Sequence, residues 1–246
     1  MAEDGTYPPL DTPKPLADGV WIVDGPAQRV LGLSLPTRMT VLRLANGGLW
    51  LHSPTRHTPA LQAALERLGP VGHLVAPNTA HWAHVSPWHK AVPDAKLWAA
   101  PGVADRARGQ DVHLRVTGGT LGDAAPPDWE GQIVHAVFSA PGLVEVAFHH
   151  RASRTLVLTD GVQAMRAGDL PLATRLFARV VGSAAPEGET PAHLRLLLNR
   201  RRTANRAAAE RLLALRPERV VFAHGDFYKE DGTARLRGAL DWLFRD

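Results

Sequence analysis

HLVAPNTAHWAHVSPWHKAVPDAKLWAAPG, residues 73–102, is the stretch on which the reading of this chain turns. The apolar run His73–Ala76 has the length of a buried strand and empties into Pro77-Asn78-Thr79, which interrupts it. Asn78 or Thr79 can cap a helix over Ala80–Val92, placing His81 and His84 in its first turn. Residues at i and i+3 share a helix face, so both imidazoles could reach one ion. Taken alone, an HxxH among 12 histidines is weak, and packing beside Trp82 and Trp88 explains the pair as well. Lys96–Ala99 reads as a second short strand, and Pro101-Gly102 opens another small helix.

The same arrangement recurs downstream. Asp160 ends the apolar run of RTLVLTDGV, and His224 ends that of ERVVFAHGDF. One rim of a sheet could gather His81, His84, Asp160 and His224 from these distant strand ends. A carboxylate placed so can bind a metal or act as a general base, although capping the next turn explains Asp160 equally well. Asp226 could orient His224 from behind, as ligating histidines require. His149 and His150 are adjacent, so in a strand they point to opposite faces, and both read as structural.

Outward from these pieces, strands are expected at Val20–Val23, Met39–Leu44 and Leu49–His52, the last two joined at Asn46-Gly47-Gly48. Thr58–Leu68 is amphipathic through Leu61, Leu65 and Leu68. Thr117–Gly131 reads as a loop, followed by strands at Ile133–Phe138, Val144–His149 and Thr155–Thr159. Helices are expected over Asp169–Val181, Pro191–Leu215 and Glu230–Phe244, with a strand at Val220–Ala223. Two strand-rich segments, each followed by helices, point to two packed sheets with helices outside.

The bulk properties narrow the chemistry. With 246 residues the chain can bury a sizeable core, read as one domain over 16–246 behind a flexible leader at 1–15. There is no cysteine, so a transition-metal site must use histidine and carboxylate, which suit zinc, iron or manganese. No window reaches eighteen uninterrupted apolar residues, and the acidic, proline-rich start is no secretory signal, so a cytoplasmic protein without a membrane span is expected. GxGxxG, GxxxxGK[ST] and GxSxG are all absent, which disfavours nucleotide folds and serine hydrolases. Arg195, Arg200, Arg201, Arg202, Arg206, Arg211 and Arg216 crowd one helical stretch. Without interleaved aromatics they read as a solvated face, and nucleic-acid binding is not expected.

Five segments together resemble the metallo-β-lactamase superfamily, and most of all its uncharacterised DUF4336 branch: LADGVWIVDGP, MTVLRLANGGLWLHSP, the 73–102 stretch, FHHRASRTLVLTD and VFAHGD. The resemblance covers about Leu16 to Arg245 and implies an α/β (α+β) fold, a four-layer αββα sandwich of two mixed sheets. It also implies one or two metal ions at the sheet edge and hydrolysis as the commonest chemistry. His81 matches the first histidine of the family's HxHxDH motif, but Ala83, Val85 and Ser86 occupy its other positions. Leu143 replaces the histidine of a PGH turn, and His52-Ser53 stands where an acidic residue usually ends the second hairpin strand. Asp160 corresponds to the bridging aspartate and His224 to the final histidine.

Two functions follow as expectations. One is a metal-dependent hydrolase with a degenerate, mononuclear site acting on an ester, lactone, thioester or phosphoester. Its single ion (zinc, or iron or manganese) would be held by His81, Asp160 and His224, with His84 a fourth ligand or proton shuttle. Asp160, His84 and Glu145 are its catalytic candidates, since Glu145 shares a strand face with Leu143. The other is a metal-free member of the fold that binds a small molecule or a protein. Substrate and oligomeric state are not encoded in any motif.

Overall fold

In the computed structural model, which describes residues 5–245, two β-sheets stack face to face with helices on their outer sides. The first sheet runs in chain order through β1 (Lys14–Ala17), β2 (Val20–Val30), β3 (Leu33–Arg43), β4 (Leu49–His52), β5 (Val71–Ala76), β6 (Lys96–Ala99) and β7 (Gly119–Thr120). Strands β1 to β4 pair antiparallel and β4 to β7 parallel. The second sheet holds β8 (Ile133–Ala140), β9 (Leu143–His150), β10 (Thr155–Val157) and β11 (Arg219–Val221), with only the β10–β11 pair parallel. Helices α1 (Pro59–Glu66), α2 (Val85–Ala91) and α3 (Val103–Arg108) follow strands of the first sheet. Helices α5 (Ala192–Leu198), α6 (Arg202–Ala214) and α7 (Gly232–Ala239) pack on the second, while α4 (Leu172–Val181) lies against β3, its Thr174 hydroxyl accepting the Ser34 N–H at 3.0 Å. This is the αββα sandwich, and no helix among the described residues is long and apolar enough to cross a membrane.

Local chemistry explains the elements. Thr58 caps α1 by accepting the Leu61 N–H at 3.1 Å, Pro59 starts the helix, and Leu61 and Leu65 bury its inner stripe. The sheets are held together by aromatics that the sequence scatters widely. Trp50 on β4 lies 4.9 Å from Phe148 on β9 and 5.9 Å from Trp129, which in turn sits 4.7 Å from Trp98 on β6. These edge-to-face rings are fully or almost fully buried and join both sheets into one core.

Several elements differ from the expected boundaries. Strands β2 and β3 run well beyond Val20–Val23 and Met39–Leu44, and β2 carries Gly25 and Pro26 inside it. A register shift between Gly25 and Gln28 absorbs them, so the pairing continues to the tip at Leu31-Gly32, where both φ angles are positive. The stretch Pro191–Leu215 is two helices, not one. Buried Asn205 bonds the Leu198 carbonyl at 2.7 Å and both backbone groups of Ser139, fixing the break between α5 and α6. Helix α2 begins at Val85 rather than Ala80, with His81 to His84 forming the turn before it. Thr117–Gly131 is mostly loop but contributes β7 and buried Trp129.

The described part of the segment read as a flexible leader lies along the first sheet, while Met1–Asp4 fall outside the described residues. Leu10 bridges to Asp24, the Asp11 N–H donates to the Asp24 carbonyl at 2.8 Å, and Lys14 pairs with the Asp24 carboxylate at 2.5 Å.

Candidate metal centre

All the parallel strands of both sheets end at one rim, and the candidate residues sit just past those ends. Ser53 follows β4, His81 follows β5, Asp160 follows β10 and His224 follows β11. Main-chain bonds lock the sheets together there, with the Val146 N–H donating to the Pro77 carbonyl at 3.0 Å.

His81, Asp160 and His224 converge. Asp160 Oδ1 stands 3.4 Å from His81 Nε2 and 3.2 Å from His224 Nε2, and the two imidazole nitrogens are 3.3 Å apart. Each of the three is oriented from behind. The His224 Nδ1 donates to the Pro36 carbonyl at 2.7 Å, so the Nε2 of its neutral ring is a lone pair facing the group. His81 Nδ1 meets Ser53 Oγ at 2.7 Å. Asn78 donates to Asp160 Oδ2 at 2.7 Å and to Thr159 Oγ1 at 2.8 Å, while its carbonyl accepts the Ala80 and His81 N–H groups. One asparagine thus ties the His81 loop to the Asp160 loop.

The loop carrying His224 is anchored by a buried arginine. Arg38 donates to the Phe222 carbonyl at 3.1 Å and the Gly225 carbonyl at 2.6 Å, and pairs with Asp24 at 2.7 Å. Gly225 has φ +94°, and a Cβ there would lie 2.1 Å from the Ala164 carbonyl oxygen, so glycine is required.

The electrostatics follow from these contacts. Burial alone would raise the Asp160 carboxyl, but His81 and His224 outweigh it and hold the group well below the usual range. Burial opposes charge on His224, yet the bond to Asp160 more than offsets this and raises its pKa. The three donors form a group that could hold a metal ion. Donors on a tetrahedral zinc with bonds of about 2.05 Å stand about 3.3 Å apart, and the three separations here bracket that edge.

His84 stays outside this group. Because the helix starts at Val85, five residues later than expected, His81 and His84 do not share a helix face. His84 instead lines the cleft above, with burial lowering its pKa. Glu145 is also outside and lies behind Asp160. Its buried carboxylate accepts the N–H groups of Thr159 at 2.6 Å, Asp160 at 3.1 Å and Gly161 at 2.9 Å. Burial, then the Asp160 charge, pushes Glu145 up to about 7, against the pull of those N–H groups. Ser53, Asn78 and Arg38 were not among the expected site residues. Asn78 had a visible signal as a turn residue before His81, whereas nothing local marks Arg38, whose two carbonyl acceptors in the His224 loop lie more than 180 residues away.

The fold is that of the metallo-β-lactamases. Similar solved structures include a metallo-β-lactamase from Hirschia baltica (13% identity, 94% of this chain and 96% of that one, TM-score 0.59). The metallo-β-lactamase FIM-1 from Pseudomonas aeruginosa in its mono-zinc form is alike at 13% identity, 95% and 96% coverage and TM-score 0.58. A fragment of a putative diflavin flavoprotein from Nostoc sp. PCC 7120 matches at 14% identity, 95% of each chain and TM-score 0.59. More narrowly, the model of the domain of unknown function DUF4336 matches residues 17–176, and the chain belongs to that family. No curated protein sequence matches it.

Proposed function

We propose that this protein is a metal-dependent hydrolase whose single ion is held by His81, Asp160 and His224. The observation that carries the reading is the convergence of three donor atoms at tetrahedral spacing, with the His224 lone pair turned inward by Pro36. With His81 in the same tautomer, three electron-rich atoms face one another, and a cation among them removes their repulsion. Histidine and carboxylate donors suit zinc, with iron or manganese as alternatives. Such an ion supplies Lewis-acid polarisation of a carbonyl or phosphoryl oxygen and a nucleophile from water near neutral pH.

The chain's own residues then divide the remaining work. Ser53 and Pro36 hold the two imidazoles in place, and Asn78 with Glu145 fixes Asp160. His84, kept neutral by burial, offers a proton acceptor at the cleft wall. The substrate is an ester, lactone, thioester or phosphoester of small-molecule size. Alanine at His81 or His224 is expected to abolish metal uptake, measured by elemental mass spectrometry after mild dialysis. Unchanged metal content in both variants rejects the ligand set.

A second reading has its own observation. If His81 carries its hydrogen on Nε2, or His224 a second proton, the same three groups satisfy one another without metal. Leu143 and Ala83, at positions where the metallo-β-lactamase pattern places histidines, fit that metal-free binding protein.

A further inference from the structure

We infer that the cleft above His81, Asp160 and His224 takes an amphiphilic anion: an apolar body carrying a carboxylate or phosphate that pairs with Arg106. The inference rests on the hydrolase reading for the reaction, but not for the binding. The cleft measures ≈ 860 Å³, a size that suits a small organic ligand. Its floor is the three-residue group. One side is apolar, built by Leu35 of β3 together with Leu143 and Val144 at the start of β9. The other is α3 and the turn after it, which present Arg106 and Gln110.

Arg106 is the one lysine or arginine among the lining residues, and Asp160 is the one carboxylate. Asp160 is already engaged by His81, His224 and Asn78. The acid nearest Arg106 in sequence, Asp105, pairs instead with Arg108 at 2.8 Å. Among the described residues Arg106 forms no ion pair, so an exposed arginine lines the cleft with its charge uncompensated. Guanidinium matches carboxylate and phosphate in a two-pronged geometry. Leu143, which cannot ligate, supplies apolar contact near the reacting end. A ligand filling the cleft therefore meets both apolar wall and an unpaired cation.

Calorimetric binding of hexanoate, hexylphosphonate and 1-hexanol to the purified full chain tests this. At least one anion should bind more tightly than the alcohol. Arg106→Glu should weaken that anion about tenfold or more, while Arg206→Glu on α6 stays within twofold. The anion that loses more distinguishes carboxylate from phosphate. Affinities for both anions within twofold of wild type in Arg106→Glu would overturn the proposal, as would no preference over 1-hexanol. Hydrolysis of 4-nitrophenyl butyrate and 4-nitrophenyl hemisuccinate separates the two readings. Equal turnover of both esters, unaffected by Arg106→Glu, defeats the anion site and keeps the hydrolase. Turnover of neither by a protein that also takes up no metal, with anion binding still lost in Arg106→Glu, defeats the hydrolase and keeps the anion site.

Discussion

Replacing Gly225 by alanine should damage the metal centre without touching a donor atom. Residue 225 has φ +94°, a region that costs a non-glycine residue roughly 1–2 kcal/mol. The added Cβ would also lie 2.1 Å from the Ala164 oxygen, 2.2 Å from its carbonyl carbon and 2.5 Å from the Met165 nitrogen. All three are backbone, so no side chain can swing away. Real Cβ contacts do not fall below 3.0 Å, so the chain must move by roughly 1 Å. That shift breaks two main-chain bonds, Ala164 N–H to the His224 carbonyl at 3.2 Å and Asp226 N–H to the Ala164 carbonyl at 2.8 Å. At roughly 1 kcal/mol each, the total loss is about 3–4 kcal/mol. Displacing His224 by the same distance takes its Nε2 out of the tetrahedral spacing. The internal control is Gly32→Ala: φ is +82° there, but nothing lies within 4 Å, so only the conformational cost of about 1 kcal/mol remains. Urea unfolding and zinc titration of both variants decide the matter. Equal stability and equal zinc affinity for Gly225→Ala and Gly32→Ala would refute the reasoning.

Other consequences are equally concrete. Burial holds His149 down to about 4, and neither ring nitrogen has a hydrogen-bond partner among the described residues. The unfolded chain therefore binds a proton near pH 6.5 that the folded chain refuses until about pH 4, so stability present above 6.5 is lost as pH falls. The loss is about 2 kcal/mol by pH 5, and His149→Met should flatten the dependence of the urea midpoint on pH between 7 and 5. An unchanged slope in the variant removes His149 from the account. Glu145→Gln keeps the shape but places a donor against the N–H groups of Thr159, Asp160 and Gly161. It should cost about 2 kcal/mol in stability and about tenfold or more in metal affinity, read by unfolding and by zinc competition.

The sequence exposed the ends of the strands better than their extent. Short apolar runs before Pro77, Asp160 and His224 located the rim, because a buried parallel strand is apolar on both faces. The long β2–β3 hairpin was hidden, since its bulge at Gly25 and Pro26 mimics a break and its tip places Leu31 where a turn glycine is usual. The helix start at Val85 was equally invisible, because Asn78 spends its carbonyl on a turn two and three residues ahead instead of on a helix. That one displacement separates His84 from His81. Glu145 was legible as a residue near the site but not in its orientation, which depends on bonds to a loop fourteen to sixteen residues away. Arg38 and Pro36 act on His224 across the sandwich, and no local pattern reports such contacts.

The most direct test of the metal centre is a diffraction measurement at the zinc absorption edge on crystals of the full chain grown with zinc. The account predicts one anomalous peak about 2.0–2.2 Å from His81 Nε2, Asp160 Oδ1 and His224 Nε2. A site empty under those conditions, with His81 or His224 hydrogen-bonded directly to Asp160, would contradict it.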